Sequence, residues 1–375
     1  MFDYQDIHDQ LYSQFAERTA EVFAKLQKAR KLLDDQPNHA ALRELLLCSE
    51  IISSASIEHV NLTLENLFLE NITIGGRDIA LYNPQSSNMR VAYGLAAKMN
   101  PEDISADTIL DLHKIMFKRE PEALPGQFRY RDISIGDPRT GWVQYSPPPP
   151  DHVPDFIEDL LHYVNQPDRD FADAFMRSII AHAGFECTHP FRDGNGRTGR
   201  LLIPLAMQDE FPDTWVFPLS AYISQNKAAY YECLKQIPRD GVAAWANWLN
   251  FALTGMQATA ELVPKVIEAV NQELEMDRLQ YKGENKALDV INYLANYPVT
   301  SLASLEASVQ GVNENYCRTL HDKSLIRLKI FPNKEDGNAI VTYRTFMDAF
   351  IAIPWYYLSA GPKKNRQIGP RPDGP

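Results

Sequence analysis

One stretch, Thr188-His189-Pro190-Phe191-Arg192-Asp193-Gly194-Asn195-Gly196-Arg197-Thr198-Gly199-Arg200, constrains the fold more than any other part of the chain. It joins an apolar run ending near Glu186 to another starting at Leu201. Gly194, Asn195 and Gly196 permit left-handed or turned backbone, so the chain is expected to turn here between two core elements. A helix starting directly after such a turn offers free N–H groups and the positive end of its dipole, and together these cradle an anion. Arg197 and Arg200 stand three apart at that helix start and can flank one anion. Asp193 is a hard oxygen ligand of the kind that suits Mg²⁺ carrying phosphates. His189 is the one group of the stretch able to accept a proton near neutral pH.

The 375 residues suffice for two or three domains with ordinary cores. The 37 basic and 49 acidic residues leave a net charge of −12, which argues against broad electrostatic binding to nucleic acid. Cys48, Cys187, Cys233 and Cys317 show no paired spacing, so neither a zinc site nor a disulfide framework is expected. The polar residues from Met1 to Gln10 hold no apolar signal core, and no run approaches a membrane span. A cytoplasmic protein without membrane contact is the expectation.

Residues 1–100 read as helical. Phe15, Val22, Phe23, Leu26 and Leu33 give near-helical spacing over 11–33; after Pro37, Asn38 is placed to cap a second helix over 39–57. Residues 107–118 predict another amphipathic helix, followed by strands over 128–135 and 142–145 around a turn at Gly136-Asp137-Pro138. Pro147 to Pro150 must end that hairpin, because proline donates no ladder hydrogen bond. Helices are expected over 156–164 and 171–186, with His182 a packed core residue, and from Leu201 to about Glu210, bent at Pro204. Another follows over 220–231, then one over 242–253 and a connecting helix over 262–280. Three short helices (287–294, 301–309, 313–321) and two strands (326–330, 339–343) complete the chain before a Pro, Gly and Lys/Arg-rich tail expected to be disordered.

His189-Pro190-Phe191-x-Asp193-Gly194-Asn195-Gly196-Arg197-x-x-Arg200 resembles the complete signature of the Fic (filamentation induced by cyclic AMP) family. Ser54-x-x-x-Glu58 upstream resembles that family's inhibitory motif, although His59 stands where Gly or Asn is usual. The segment from Pro125 to Pro150 resembles its flap, a hairpin that aligns the target by strand-like pairing. Ser220-x-Tyr222-x-x-x-Asn226-x-x-x-Tyr230-Tyr231 resembles its next helix. Tyr222, Asn226 and Tyr230 on one face would stack on and hydrogen-bond a purine, or would be an ordinary core stripe. The final helices and strands resemble a winged helix; its equal numbers of basic and acidic residues between 284 and 345 favour protein contact or dimerisation over DNA binding.

The resemblance implies a mainly α protein: an N-terminal helical region (1–100) with the inhibitory helix, a Fic core with a β-hairpin flap (101–255), a connecting helix (256–283), a small winged-helix-like α+β domain (284–358) and a tail (359–375). It also implies a protein adenylyltransferase that moves AMP from ATP, with Mg²⁺ or Mn²⁺, onto a Ser, Thr or Tyr hydroxyl of a target protein. His189 would be the base, Asp193 the metal ligand, and the amides around Gly194 to Gly196, with the catalytic Asn195 side chain, the α-phosphate cradle. Arg197 and Arg200 would hold the outer phosphates, Phe191 would anchor the loop, and Ser54 and Glu58 would inhibit. Self-modification and a homodimer are compatible with this. Two further readings are a hydrolase that removes AMP, with Glu58 aligning a water, and an ATP-sensing regulatory module.

Overall fold

A computed structural model of the chain describes residues 2–64, 67, 73–74, 77–78, 84–99, 104–137, 142–167, 170–208, 211–212, 215, 217–330, 339–344 and 346–348. The expected tail, the link between the last two strands, Pro138 and Glu210 lie outside the described residues.

The helices are α1 (Tyr4–Asp34), α2 (His39–Ile57), α3 (Pro84–Ala96), α4 (Ala106–Met116), α5 (Val153–Val164), α6 (Phe171–Thr188), α7 (Asn195–Ala206), α8 (Leu219–Gln225), α9 (Lys227–Gln236), α10 (Gly241–Gln280), α11 (Asn285–Asn296), α12 (Leu302–Ser308) and α13 (Glu314–Asp322). The strands form three antiparallel sheets: β1 (Thr73–Ile74) with β2 (Arg77–Asp78), β3 (Ile135–Asp137) with β4 (Trp142–Tyr145), and β5 (Val299–Ser301), β7 (Ala339–Tyr343) and β6 (Ile326–Ile330) in the order β5-β7-β6.

At the centre stands α6, buried on nearly every side, from Phe171 to Phe185. A helix apolar all round has to be wrapped by others. Here α1, α5, α7 and α10 pack against it. Two charged residues on it are neutralised rather than exposed. Asp173 accepts from Arg177 (3.1 Å) and contacts His8 of α1 (2.8 Å), while Arg177 donates to the carbonyl of Tyr163 at the end of α5 (2.8 Å). A buried carboxylate is tolerated only with such partners.

Four expectations need correction. Asn38 sits at the start of α2 but makes no side-chain cap, and its buried amide nitrogen has no partner among the described residues. The segment 128–134 is not strand; the ladder begins at Ile135 and continues through Gly136 and Asp137, where a turn was expected. The helix read over 220–231 breaks at Asn226 into α8 and α9. The two helices read over 242–253 and 262–280 are one 40-residue helix, α10. Pro264 inside it removes one donor without ending it, because buried Leu262, Val263, Val266 and Ile267 hold the following turns against neighbouring helices. At its end, Tyr343 Oη of β7 donates to Asp277 Oδ2 (2.7 Å), tying the last sheet to α10.

Candidate active site

Between α6 and α7 the signature forms a compact turn. His189 closes α6 in the left-handed region (φ 49°), and Gly194 opens α7 with φ 85°. Left-handed backbone at Gly194 is combined with a close approach: a Cβ there would lie 2.1 Å from Cζ of Phe117. Gly194→Ala is therefore expected to cost about 2–4 kcal/mol, from backbone strain plus overpacking, read as a fall in Tm. An unchanged melting curve would show that the turn relaxes.

The loop is braced from inside. Asn195 accepts from the Phe191 amide through Oδ1 and donates to the Phe191 carbonyl through Nδ2, both at 2.8 Å. The Asn195 side chain, expected at the α-phosphate, is bonded to the loop backbone from inside. Phe191 is fully buried, as an anchor should be, with its ring stacked on His113 (centroids 3.7 Å, 4°). The first intrahelical bond of α7 runs from the Thr198 amide to the Gly194 carbonyl (3.0 Å). The amides of Asn195, Gly196 and Arg197 precede it and point out of the helix end, as an anion cradle requires.

Three charged groups surround that end. Asp193 is 59% exposed, and its Oδ1 accepts from the Gly194 amide (2.6 Å) and lies 3.7 Å from Arg197 Nη2. Arg197 is buried over the Phe117 ring (4.3 Å) and lies 3.9 Å from Glu120. Arg200 is 1% exposed. It donates from Nε to Ser54 Oγ (3.0 Å) and from Nη2 to both the Ser54 carbonyl (2.9 Å) and Glu58 Oε1 (2.8 Å). Its Nη1 is buried without a partner among the described residues, and it borders Gly196, where a Cβ would meet it at 2.8 Å and Glu58 Oε1 at 2.2 Å. The Glu58 carboxylate therefore rests on the Cα of Gly196, within the cradle. Burial alone would raise the Glu58 carboxyl, but Arg200, then Arg197 and His189, outweigh it and hold it below the ordinary carboxylate range.

The Glu58–Arg200 contact uses one guanidinium nitrogen, not two. Its geometry comes from the end of α2. The Val60 amide bonds to the Ala55 carbonyl (3.1 Å) and the His59 amide to the Ser56 carbonyl (3.2 Å), closing the helix in a Schellman motif. The left-handed residue of that motif is His59, φ 61°. Glycine adopts this conformation without the Cβ conflict, so His59→Gly is expected to stabilise the fold by about 1 kcal/mol, read as a rise in Tm. A lower Tm would show that the exposed imidazole has a contact of its own.

The remainder of α2 is seated on α8 and α9. The buried Glu50 carboxylate accepts from the amide (2.8 Å) and the hydroxyl of Ser220 and from Tyr93 Oη (3.4 Å). Ser56 and Ser224 share a hydroxyl contact at 3.0 Å. Lys227 Nζ donates to the Ser56 carbonyl at 2.6 Å, a cation at the negative end of the helix dipole.

Burial depresses His189 to about 4, only partly offset by the Glu186 carbonyl. Its Nδ1 lies 3.3 Å from that carbonyl; a carbonyl only accepts, so Nδ1 carries the hydrogen and Nε2 is left as the acceptor. Arg129, from the flap side, donates its amide to the Pro190 carbonyl (2.9 Å) and its Nε to the His189 carbonyl (2.9 Å), and reaches Arg131, Pro148 and Thr188 carbonyls as well. One guanidinium thus joins both ends of the flap to the signature.

Tyr222 and Tyr230, read as either purine contacts or a core stripe, are buried: Tyr222 against Phe251, and Tyr230 against Trp248 with its hydroxyl 3.1 Å from His182 Nε2. Asn226 donates to the Tyr222 carbonyl at the break between α8 and α9 (2.8 Å). His182 is the core residue expected, depressed to about 3 by burial. The neighbouring Tyr231 is 44% exposed. Burial, then the Glu58 charge, raises its hydroxyl to about 12, so this ring borders the site. Sequence reasoning also passed over His113 and Phe117, which lie on α4 and just after it, under the cradle.

A glycine-started helix, its loop, a buried histidine and two arginines thus meet at one place. Residues 103–207 match the model of the Fic/DOC family. Its similarity to the protein adenylyltransferase fic-1 of Caenorhabditis elegans is 30% identity over 134 residues, 36% of this chain and 24% of that protein. To the protein adenylyltransferase Fic of Drosophila virilis it is 23% over 289 residues, 70% of this chain and 57% of that one. The chain thus spans from about a quarter to somewhat over half the length of these relatives. A crystal structure of a Fic family protein from Desulfovibrio desulfuricans G20 superposes with a TM-score of 0.54 at 20% identity, covering 87% of this chain and 95% of that one. That likeness establishes the mainly α fold.

Proposed function

We propose that the chain is a protein adenylyltransferase, transferring AMP from ATP to a side-chain hydroxyl of a target protein and restrained by Glu58. The observation that carries this reading is the seat of the Glu58 carboxylate on Gly196: an anion already lies at the start of α7, held there by Arg200. The names of the relatives, protein adenylyltransferases, agree with it.

In the proposed reaction the phosphates lie along the start of α7, with the α-phosphate at the amides of Asn195 to Arg197 and the γ-phosphate at Arg200. His189 Nε2 takes the proton of the incoming hydroxyl, whose oxygen bonds to the α-phosphorus. The bond from that phosphorus to the bridging oxygen of the β-phosphate breaks, and pyrophosphate leaves. Tyr231 offers an exposed ring for the base, in place of Tyr222 and Tyr230. The flap strands β3 and β4 are where a target segment would pair. Asp193 is a single, exposed, hard carboxylate beside the cradle, which fits a divalent cation that draws its other ligands from water and phosphate. Bound there with nucleotide, Mg²⁺ or Mn²⁺ would offset charge on the leaving pyrophosphate. A cytoplasmic setting, self-modification, a homodimer and a contact role for a winged-helix-like C-terminal group belong to the same reading.

Incubation with ATP labelled at the α-phosphate is expected to label protein in the presence of Mg²⁺ and not after chelation. Asp193→Ala should lose nearly all of that labelling while still melting cooperatively. Label entering only from the γ-phosphate would replace the reading with phosphoryl transfer. Release of AMP from an already modified protein, with no incorporation, would replace it with hydrolysis.

A further inference from the structure

We propose that His113 is a positioning residue that holds the start of the flap, at Gly126, and the anion-binding turn in register with each other; the nucleotide part of this rests on the function proposed above. The His113 ring is fully buried, packed flat on Phe191 (3.7 Å, 4°) and stacked with Phe117 (4.6 Å, 25°). Its Nδ1 lies 3.0 Å from the Gly126 amide and its Nε2 3.0 Å from the Asp193 carbonyl. An amide only donates and a carbonyl only accepts, so the neutral Nε2–H tautomer is the form that satisfies both.

Both partners are backbone, and both stand at left-handed glycine turns. Gly126 itself has φ 73°, near the start of the flap, and Asp193 precedes Gly194, φ 85°, where the chain enters α7. The two ends are 13 and 80 residues from His113. A rigid ring with an acceptor on one side and a donor on the other joins them without adding charge beside a cradle that must receive phosphates. Lysine or arginine would have no acceptor for Gly126. Asparagine places an oxygen near the Nδ1 position and glutamine places an amide near the Nε2 position, so each reproduces one of the two bonds.

That difference supplies the test. Hydrogen exchange at Gly126 and at the bonded amides of the turn, Gly194 and Thr198, would be measured in the full chain, with the affinity for a non-hydrolysable ATP analogue in Mg²⁺. His113→Phe, which keeps the ring stack, is expected to speed exchange at both places and weaken the analogue about tenfold. His113→Asn should protect Gly126 but not the turn, and should weaken the analogue about as much. His113→Gln should protect the turn, keep the affinity and free Gly126. Identical behaviour of the Asn and Gln variants, or unchanged exchange in the Phe variant, would overturn the proposal and leave a packing residue. A wild-type chain that fails to bind the analogue, while the exchange pattern holds, would overturn the nucleotide reading and leave the register role standing.

Discussion

His189→Ala is expected to reduce AMP transfer by about 10²–10⁴-fold, the usual contribution of a positioned general base, while ATP affinity stays nearly unchanged. The imidazole closes α6, whereas the amides and guanidiniums that would hold phosphate all follow it, on α7. Burial leaves His189 neutral down to about pH 4, with its hydrogen on Nδ1 and Nε2 open. The acid limb of kcat/KM, which reports the free enzyme, should accordingly fall near pH 4 rather than near the ordinary histidine value of about 6.5. The same depression has a consequence for stability. Between about pH 6.5 and 4 the unfolded chain binds a proton that the folded chain refuses, so stability at this residue declines as pH falls through that window. Undiminished labelling by the alanine variant, or an acid limb at 6.5, would remove His189 from the role of base.

The second large effect is expected at Glu58. Glu58→Gly should raise labelling by about tenfold at saturating ATP and Mg²⁺. The contact it removes is a single charge-assisted bond of 2.8 Å to a fully buried guanidinium, from a carboxylate with 32% of its side chain exposed. That exposure places it at the weaker end of such bonds, about 1.5 kcal/mol, or roughly one order of magnitude. Losing the carboxylate also clears the space over Gly196, yet Arg200 keeps its orientation through the Ser54 hydroxyl and carbonyl. Ser54 thus aims the arginine while Glu58 occupies it. Glu58→Gln, which retains an acceptor without charge, should fall between the two. Equal rates for all three proteins would show that the contact restrains nothing.

What the sequence determined by itself was local. The order of residues from His189 to Arg200 specifies a turn and a helix start, because left-handed glycine and an unbonded first turn are properties of a few consecutive residues. The four-residue spacing of Ser54 and Glu58 puts both on one side of the end of α2, and the boundaries of α2, β6 and β7 follow from periodicity and breakers. Tertiary structure decided which residues stand opposite. The Asn195 side chain, which composition would spend on a ligand, is drawn inward because two backbone groups of Phe191 would otherwise be buried unpaired. Tyr230 turns to the core and Tyr231 to the site because α8 ends at Asn226 and α9 starts with a new rotation, which no helical repeat running through 220–231 anticipates. His113 and Arg129 reach the signature across 80 and 60 residues of chain. Periodicity cannot register such contacts, since they depend on how packed helices bring distant backbone together and not on any preference of the residues between.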